Sequence, residues 1–142
     1  MTGGGTPRSG AELVRAFLPT SPFVGHLGLR LDEMRPDAAT LTLPFTQAVV
    51  TIGTVVHGGA IASLIDTAAM VAAWSGAEAP EKLRGSTAGL TVSYLAPAQG
   101  EDVRATAQVL RRGRSLVYLD VEVQGVTSGT LVAKGLVTYK IG

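Results

Sequence analysis

The chain has 142 residues, 46% of them hydrophobic and only 16% charged, with a net charge of +1 and no cysteine. That length suits one domain with a sizeable core. Near-neutrality argues against a nucleic-acid partner, which leaves a strongly basic face, and the lack of cysteine excludes disulfides, thiolate metal ligands and a cysteine nucleophile. So small a charged fraction falls below what a monomer's surface carries, and an oligomer that hides part of its exterior is expected. His26 and His57 are too few for a histidine-rich metal site, and the cysteine-free composition is compatible with a cytoplasmic location.

The opening MTGGGTPRSG lacks the apolar core of a signal peptide and reads as a disordered tail over residues 1–10, ahead of one domain over 11–142. Ala11 to Leu18 forms a short helix ended by Pro19, with Ser9 and Glu12 at capping-box spacing. Leu27 to Met34 and Ala39 to Leu43 alternate (Leu27, Leu29, Leu31; Leu41, Leu43) and read as two strands turned at Arg35-Pro36-Asp37. Pro44 to Thr54 is irregular.

The dominant stretch is VVHGGAIASLIDTAAMVAAWS, Val55 to Ser75. A helix from Gly58 to Trp74 would be about 25 Å long. With a carboxylate near its middle it does not read as a membrane span, which needs about 20 apolar residues without a charge. At 100° per residue Ile61, Leu64, Ile65, Ala68 and Ala72 form a stripe fit to pack on a sheet. Opposite lie Gly59, Ser63, Asp66, Met70 and Ala73, small apart from Met70 and without Lys or Arg. A face meant for water would carry such residues, so this second face is expected to be covered by another copy of the chain or by a ligand. An ionised carboxylate there is costly unless paired, and such carboxylates cluster at functional sites. The plainer alternative is that Asp66 bonds nearby hydroxyls or backbone and serves packing alone.

Gly76 to Leu83, with Pro80, closes the helix. Ser86 to Leu95, Val103 to Leu110, Leu116 to Gln124 and Leu131 to Tyr139 are rich in Val, Leu, Thr and Tyr, and Gly113 and Gly129 mark hairpin turns between the later ones. Two strands, one long helix and four strands give an α+β domain, a curved antiparallel sheet wrapped around a central helix, with a short N-terminal helix.

This order, with HGGAIASLIDTA followed by LTVSYLAPA, resembles the hotdog-fold acyl-CoA thioesterases of the phenylacetate-pathway (PaaI-like) type. The match runs from Pro22 to the end and rests on His-Gly-Gly, an aspartate nine positions after the histidine, and the Tyr94-x-x-Pro97 strand end. The resemblance implies hydrolysis of an acyl-CoA thioester, with Asp66 as general base or nucleophile and the Gly58 N–H polarising the carbonyl. Coenzyme A would be part of the substrate, with no further cofactor, metal, membrane or nucleic acid involved. Free N–H groups at a helix start do favour an oxyanion.

Spacing adds an inference. Gly58 and Asp66 are about 12 Å apart along one helix, so one carbonyl carbon cannot lie about 3 Å from both. If both act, they come from two antiparallel helices in different subunits, and the site is shared across a two-fold interface. A homodimer is the minimum, and a homotetramer, a dimer of dimers, is what the resemblance implies. Relatives often carry Asn or Gln where Thr51 stands, and some use a serine where Thr87 aligns. His57 is expected to position the loop. Gly59, Ser63 and Met70 would face substrate, although packing competes for Met70, and Trp74 reads the same way. Arg112 and Arg114, beside Arg111 at a hairpin tip, would meet the phosphates of coenzyme A or form a solvated turn. A competing reading is a non-catalytic acyl-CoA-binding module using the same groove. A hotdog hydratase is disfavoured because no acid lies in the ten residues before His57, and no helix-turn-helix segment supports a DNA-binding regulator.

Overall fold

A computed structural model describes residues 9–78 and 84–142. Helix α1 (Gly10–Phe17) is capped by Ser9, whose Oγ accepts from Glu12 N at 3.1 Å and donates to the Glu12 carboxylate at 3.3 Å. Both Ser9 and the buried Gly10 belong to the folded domain, so the domain begins ahead of residue 11, and the rest of the expected tail lies outside the described residues. A 3₁₀ turn (Leu18–Thr20) follows, then a second helix, α2 (Pro22–Leu27), which the alternation of leucines did not reveal. Pro22 fits the first turn of that helix, and Gly28 ends it in the left-handed region at φ 71°. Leu27 is therefore helical, and strand β1 starts later, at Arg30–Arg35. It turns through Pro36 and Asp37, the latter at φ 67°, into β2 (Ala38–Leu43).

The stretch read as irregular contains a 3₁₀ turn (Gln47–Val49) and a small hairpin, β3 (Val50–Ile52) with β4 (Val55–Val56), turned at Gly53. Helix α3 (Gly58–Ser75) is followed by β5 (Gly85–Tyr94), β6 (Val103–Arg112), β7 (Leu116–Gly125) and β8 (Leu131–Ile141). Pro80, assigned to the closure of the helix, lies outside the described residues.

Six strands form one antiparallel sheet in the order β1-β2-β6-β7-β8-β5, so β5 crosses to the far edge instead of pairing with its successor. Bulges interrupt β1, β5, β6 and β8 pairings and add the local twist that wraps a sheet around a helix. Leu41, Leu43, Val103, Ala105, Ala107, Val117, Leu119, Val121, Val123 and Val137 alternate inward, all nearly inaccessible. Against them sit Ile61, Leu64, Ile65, Ala68 and Ala72 of α3, each large side chain contributing about 1.5–3 kcal/mol by burial. Gly135 on β8 permits the close approach, since a Cβ there would lie 2.7 Å from Ile65 Cγ2. This is the hotdog fold that the resemblance implied. By length and composition α3 could cross a membrane; 61% of it is buried inside the protein instead.

The second face of α3 divides along its length. Gly59 is exposed and Ser63, Asp66 and Met70 are half-buried, whereas Ala73 is fully covered within this one chain. Ala69, Val71 and Trp74 are buried too, so the C-terminal half of the helix is enclosed and the N-terminal half is open on one side.

Candidate active site

Two clusters of polar groups lie on that open side, and both reach the edge strand β5. At mid-helix, Thr87 Oγ1 donates to Asp66 Oδ1 at 2.5 Å. Thr87 belongs to the inward row of β5, opposite Tyr139 on β8, which is why its hydroxyl meets the helix. Among the described residues Asp66 Oδ2 receives no hydrogen bond, leaving it able to take a proton. The threonine thus fixes one oxygen and the rotamer of the carboxylate while the other faces outward.

The second cluster surrounds the helix start. His57 is the N-cap: its Nδ1 accepts from Gly59 N at 2.7 Å, so that nitrogen carries no proton in this arrangement. The His57 carbonyl accepts from Ala60 N at 3.0 Å and Ile61 N at 3.2 Å, and His57 N donates to Val49 O at 2.7 Å. Of the four N–H groups that a helix start leaves without an intrahelical partner, three are therefore taken. Gly58 N–H is the one with no partner among the described residues. Gly58 lines a cleft of about 370 Å³ with Thr51, Val55, Ile61, Tyr94 and Pro97 among others. The lining is mostly apolar, an environment that strengthens any interaction with a developing negative charge.

Thr51 sits on β3, exposed, and lines this cleft together with Gly58. Ser63 Oγ is turned back onto its own helix, donating to Gly59 O at 2.8 Å, and Thr67 does the same to Ser63 O at 2.8 Å. Met70 lies one turn beyond Asp66, half-buried. His26 is exposed in the last turn of α2, away from both clusters.

Arg112 and Arg114 belong to the far end of the helix, about 15 Å along its axis from Asp66. They line a cleft of about 490 Å³ with Gly76, Glu78 and Ser115. Arg112 has its guanidinium occupied: Nη2 lies 2.8 Å from Asp37 Oδ1 and donates to Ala73 O at 2.8 Å. Arg114 is exposed.

Two residues that sequence reasoning left without a task stand beside these clusters. Tyr94, used only as a family marker, donates its hydroxyl to Gly58 O at 2.7 Å. Tyr139, buried under Asp66 and Thr87, accepts from Trp74 Nε1 at 2.9 Å. Burial pushes the Tyr139 phenol above its usual range, with the Asp66 charge adding to the effect and the Trp74 bond opposing it.

The model of the thioesterase superfamily matches residues 53–132, which include both clusters. Over 89% of each chain the sequence is 30% identical to the medium/long-chain acyl-CoA thioesterase YigI of Escherichia coli K12. It is 35% identical to acyl-coenzyme A thioesterase 13 of Homo sapiens over 64% of this chain and 63% of that protein. The backbone superposes on the Escherichia coli PaaI protein from the phenylacetic acid degradation operon with a TM-score of 0.80, covering 94% of both chains at 24% identity, a likeness of fold.

Proposed function

The chain belongs to the thioesterase superfamily, and on that premise we propose that it hydrolyses acyl-CoA thioesters at a site shared between two copies. The observation that carries this reading is the way β5 ties together the two polar clusters. Asp66 is held through Thr87 near one end of the strand and Gly58 through Tyr94 at the other. These two strand residues are seven apart, about 23 Å along an extended chain.

Strand β5 is also one of the sheet's two edges, exposed along nearly its whole length. Unpaired edges of this kind invite another strand. If two copies pair their β5 edges antiparallel with Thr87 opposite Tyr94 of the partner subunit, Asp66 of each copy approaches Gly58 of the other, and one chain's incomplete site becomes two complete ones.

In that arrangement Asp66 Oδ2 takes a proton from water, whose oxygen attacks the thioester carbonyl carbon. Charge gathers on the carbonyl oxygen, facing the free Gly58 N–H and the positive end of α3. The tetrahedral intermediate collapses by breaking the C–S bond, and the thiolate of coenzyme A leaves and is protonated. In this reading Thr51, which lines the cleft, would hold the water or the carbonyl. Arg114 remains available to the phosphates of coenzyme A, while Arg112 is committed to the fold. A dimer is the minimum assembly in this reading. A dimer of dimers is its extension, supported by Leu110, Tyr118 and Leu136, which leave an apolar strip on the outer sheet face. Cytoplasmic location belongs to the same reading, and fractionation tests it.

The test is complementation between inactive variants. Asp66→Asn and Gly58→Val are each assayed for thiol release on a panel of aryl- and fatty-acyl-CoA substrates, then mixed after denaturation and refolded together. A mixed dimer holds one site free of both substitutions, so about a quarter of wild-type activity should return. No recovery from a mixture of folded variants would overturn the shared site, since one chain's Gly58 and Asp66 cannot serve the same carbonyl carbon. Ligand-dependent thermal stabilisation without thiol release by the wild type would favour the non-catalytic binding module.

A further inference from the structure

We propose that Tyr94 is a positioning residue for the oxyanion amide, acting through the Gly58–Gly59 peptide; the inference rests on the hydrolase reading only for its kinetic consequence. Two consecutive glycines at a helix start are the residues least able to hold their own dihedral angles. Catalytic donors need placement within about 0.5 Å and 10–20°, so something outside the glycines must supply the constraint.

The peptide between them is gripped at both polar ends. Its oxygen accepts from Tyr94 Oη at 2.7 Å, and its N–H donates to His57 Nδ1 at 2.7 Å. The first contact spans 36 positions of sequence and joins the helix to the end of β5. The tyrosine ring also backs the Gly58 Cα: a Cβ there would lie 3.3 Å from Cε1 and Cζ of Tyr94. With this peptide unable to rotate and the His57 carbonyl held by Ala60 and Ile61, the Gly58 N–H between them has a single direction.

A ring that merely filled space would not need the hydroxyl. Tyr94 is 52% exposed, so its phenol could bond water as readily, and the chosen partner is instead the carbonyl beside the free amide. Without the hydroxyl, that first turn keeps its cap and its own helical bonds and loses the tie that holds the Gly58 carbonyl to the end of β5.

The experiment compares Tyr94→Phe, which keeps the ring, with Tyr94→Leu, which loses both features. Tyr94→Phe should lower kcat about tenfold with KM changed less than twofold, as expected when an interaction matters mainly in the transition state. A ketone analogue of the substrate that forms a tetrahedral adduct should bind about tenfold more weakly, and a plain thioether analogue equally well. Amide exchange at Gly59, whose N–H donates to His57 Nδ1, should speed up in Tyr94→Phe when read by NMR without substrate, and Tyr94→Leu should exceed it in both readouts. Unchanged exchange overturns the proposal whatever the kinetics do. So does an unchanged kcat, or weaker binding of both analogues alike. If the wild type releases no thiol from any acyl-CoA, the hydrolase reading fails instead, and the exchange measurement alone decides the role of Tyr94.

Discussion

At its C-terminal end α3 has its carbonyls filled from all sides. Ser75 Oγ donates to Ala72 O, Arg112 to Ala73 O and Ala77 N to Trp74 O, while Gly10 N reaches across from α1 to Ala77 O. The N-terminal end is treated differently: His57 holds the amides of Gly59, Ala60 and Ile61 with its own side chain and carbonyl, and the Gly58 N–H is left without a partner among the described residues, in a residue that lines a cleft. The last turn of the helix, Val71–Ser75, is buried within this chain, whereas Gly58, Gly59, Ser63 and Asp66 are open on one side. The same helix thus serves as a packed strut at one end and as an electrostatic group at the other. Leaving one polar group without a protein partner has little cost where water or a ligand reaches it, and in the proposed function the N-terminal half does the chemistry while the C-terminal half holds the fold. It follows that substitutions near Gly58 and Asp66 should move turnover, and those near Trp74 and Arg112 should move stability.

The sharpest way to break that division is at Asp66. Asp66→Asn should cut turnover by about 10²–10⁴, the range for losing a general base, and leave the thermal midpoint near wild type because the amide can still accept from Thr87. Full turnover in a folded variant would remove Asp66 from the chemistry. A smaller effect is expected at its anchor. Thr87→Val should lower kcat about tenfold by freeing the carboxylate rotamer, and Thr87→Ser should restore it; equal losses in both would point to packing of the γ-methyl instead. At the opposite end, Arg112→Ala should cost about 1–3 kcal/mol of stability by stranding Ala73 O and Asp37, measured by urea denaturation, with KM for acyl-CoA within twofold. A raised KM at unchanged stability would return Arg112 to the phosphates of coenzyme A.

Much of this arrangement was legible in the sequence because it depends on local pattern. The 3.6-residue stripe of Ile61, Leu64, Ile65, Ala68 and Ala72 fixed which face meets the sheet, and the capping box at Ser9 marked the first helix. Runs rich in Val, Leu, Thr and Tyr, with turns at Gly113 and Gly129, located β6, β7 and β8 within a few residues. What stayed hidden depends on partners distant in sequence. Nothing near Tyr94 announces that its hydroxyl will meet Gly58 O, since that requires β5 to lie at the far edge of the sheet. Arg112 read as a spare cation for the same reason: Asp37 is 75 positions away. The helix Pro22–Leu27 was missed because Leu27, Leu29 and Leu31 mimic a strand's alternation, although Ser21-Pro22 and Gly28 bracket a short helix.

The smallest expected effect links the two halves. Tyr139 accepts from Trp74 Nε1, and Trp74 is 1% exposed, so Tyr139→Phe strands a buried donor at a cost of about 1–3 kcal/mol. Turnover at neutral pH should stay within twofold. The pH dependence has a definite sign. Burial holds the folded-state phenol above the value of about 10 that an unfolded tyrosine shows. Its contribution to stability is therefore complete below that value and is lost as pH rises through the folded-state one. Urea midpoints measured from pH 8 upward should fall on the alkaline side in the wild type and fall less in Tyr139→Phe. Because the Asp66 charge helps hold the phenol neutral, Asp66→Asn should make that fall smaller while the Trp74 bond stays intact. An alkaline limb identical in all three proteins would mean that Tyr139 does not sense the carboxylate, and the two halves of the helix would then be electrically separate.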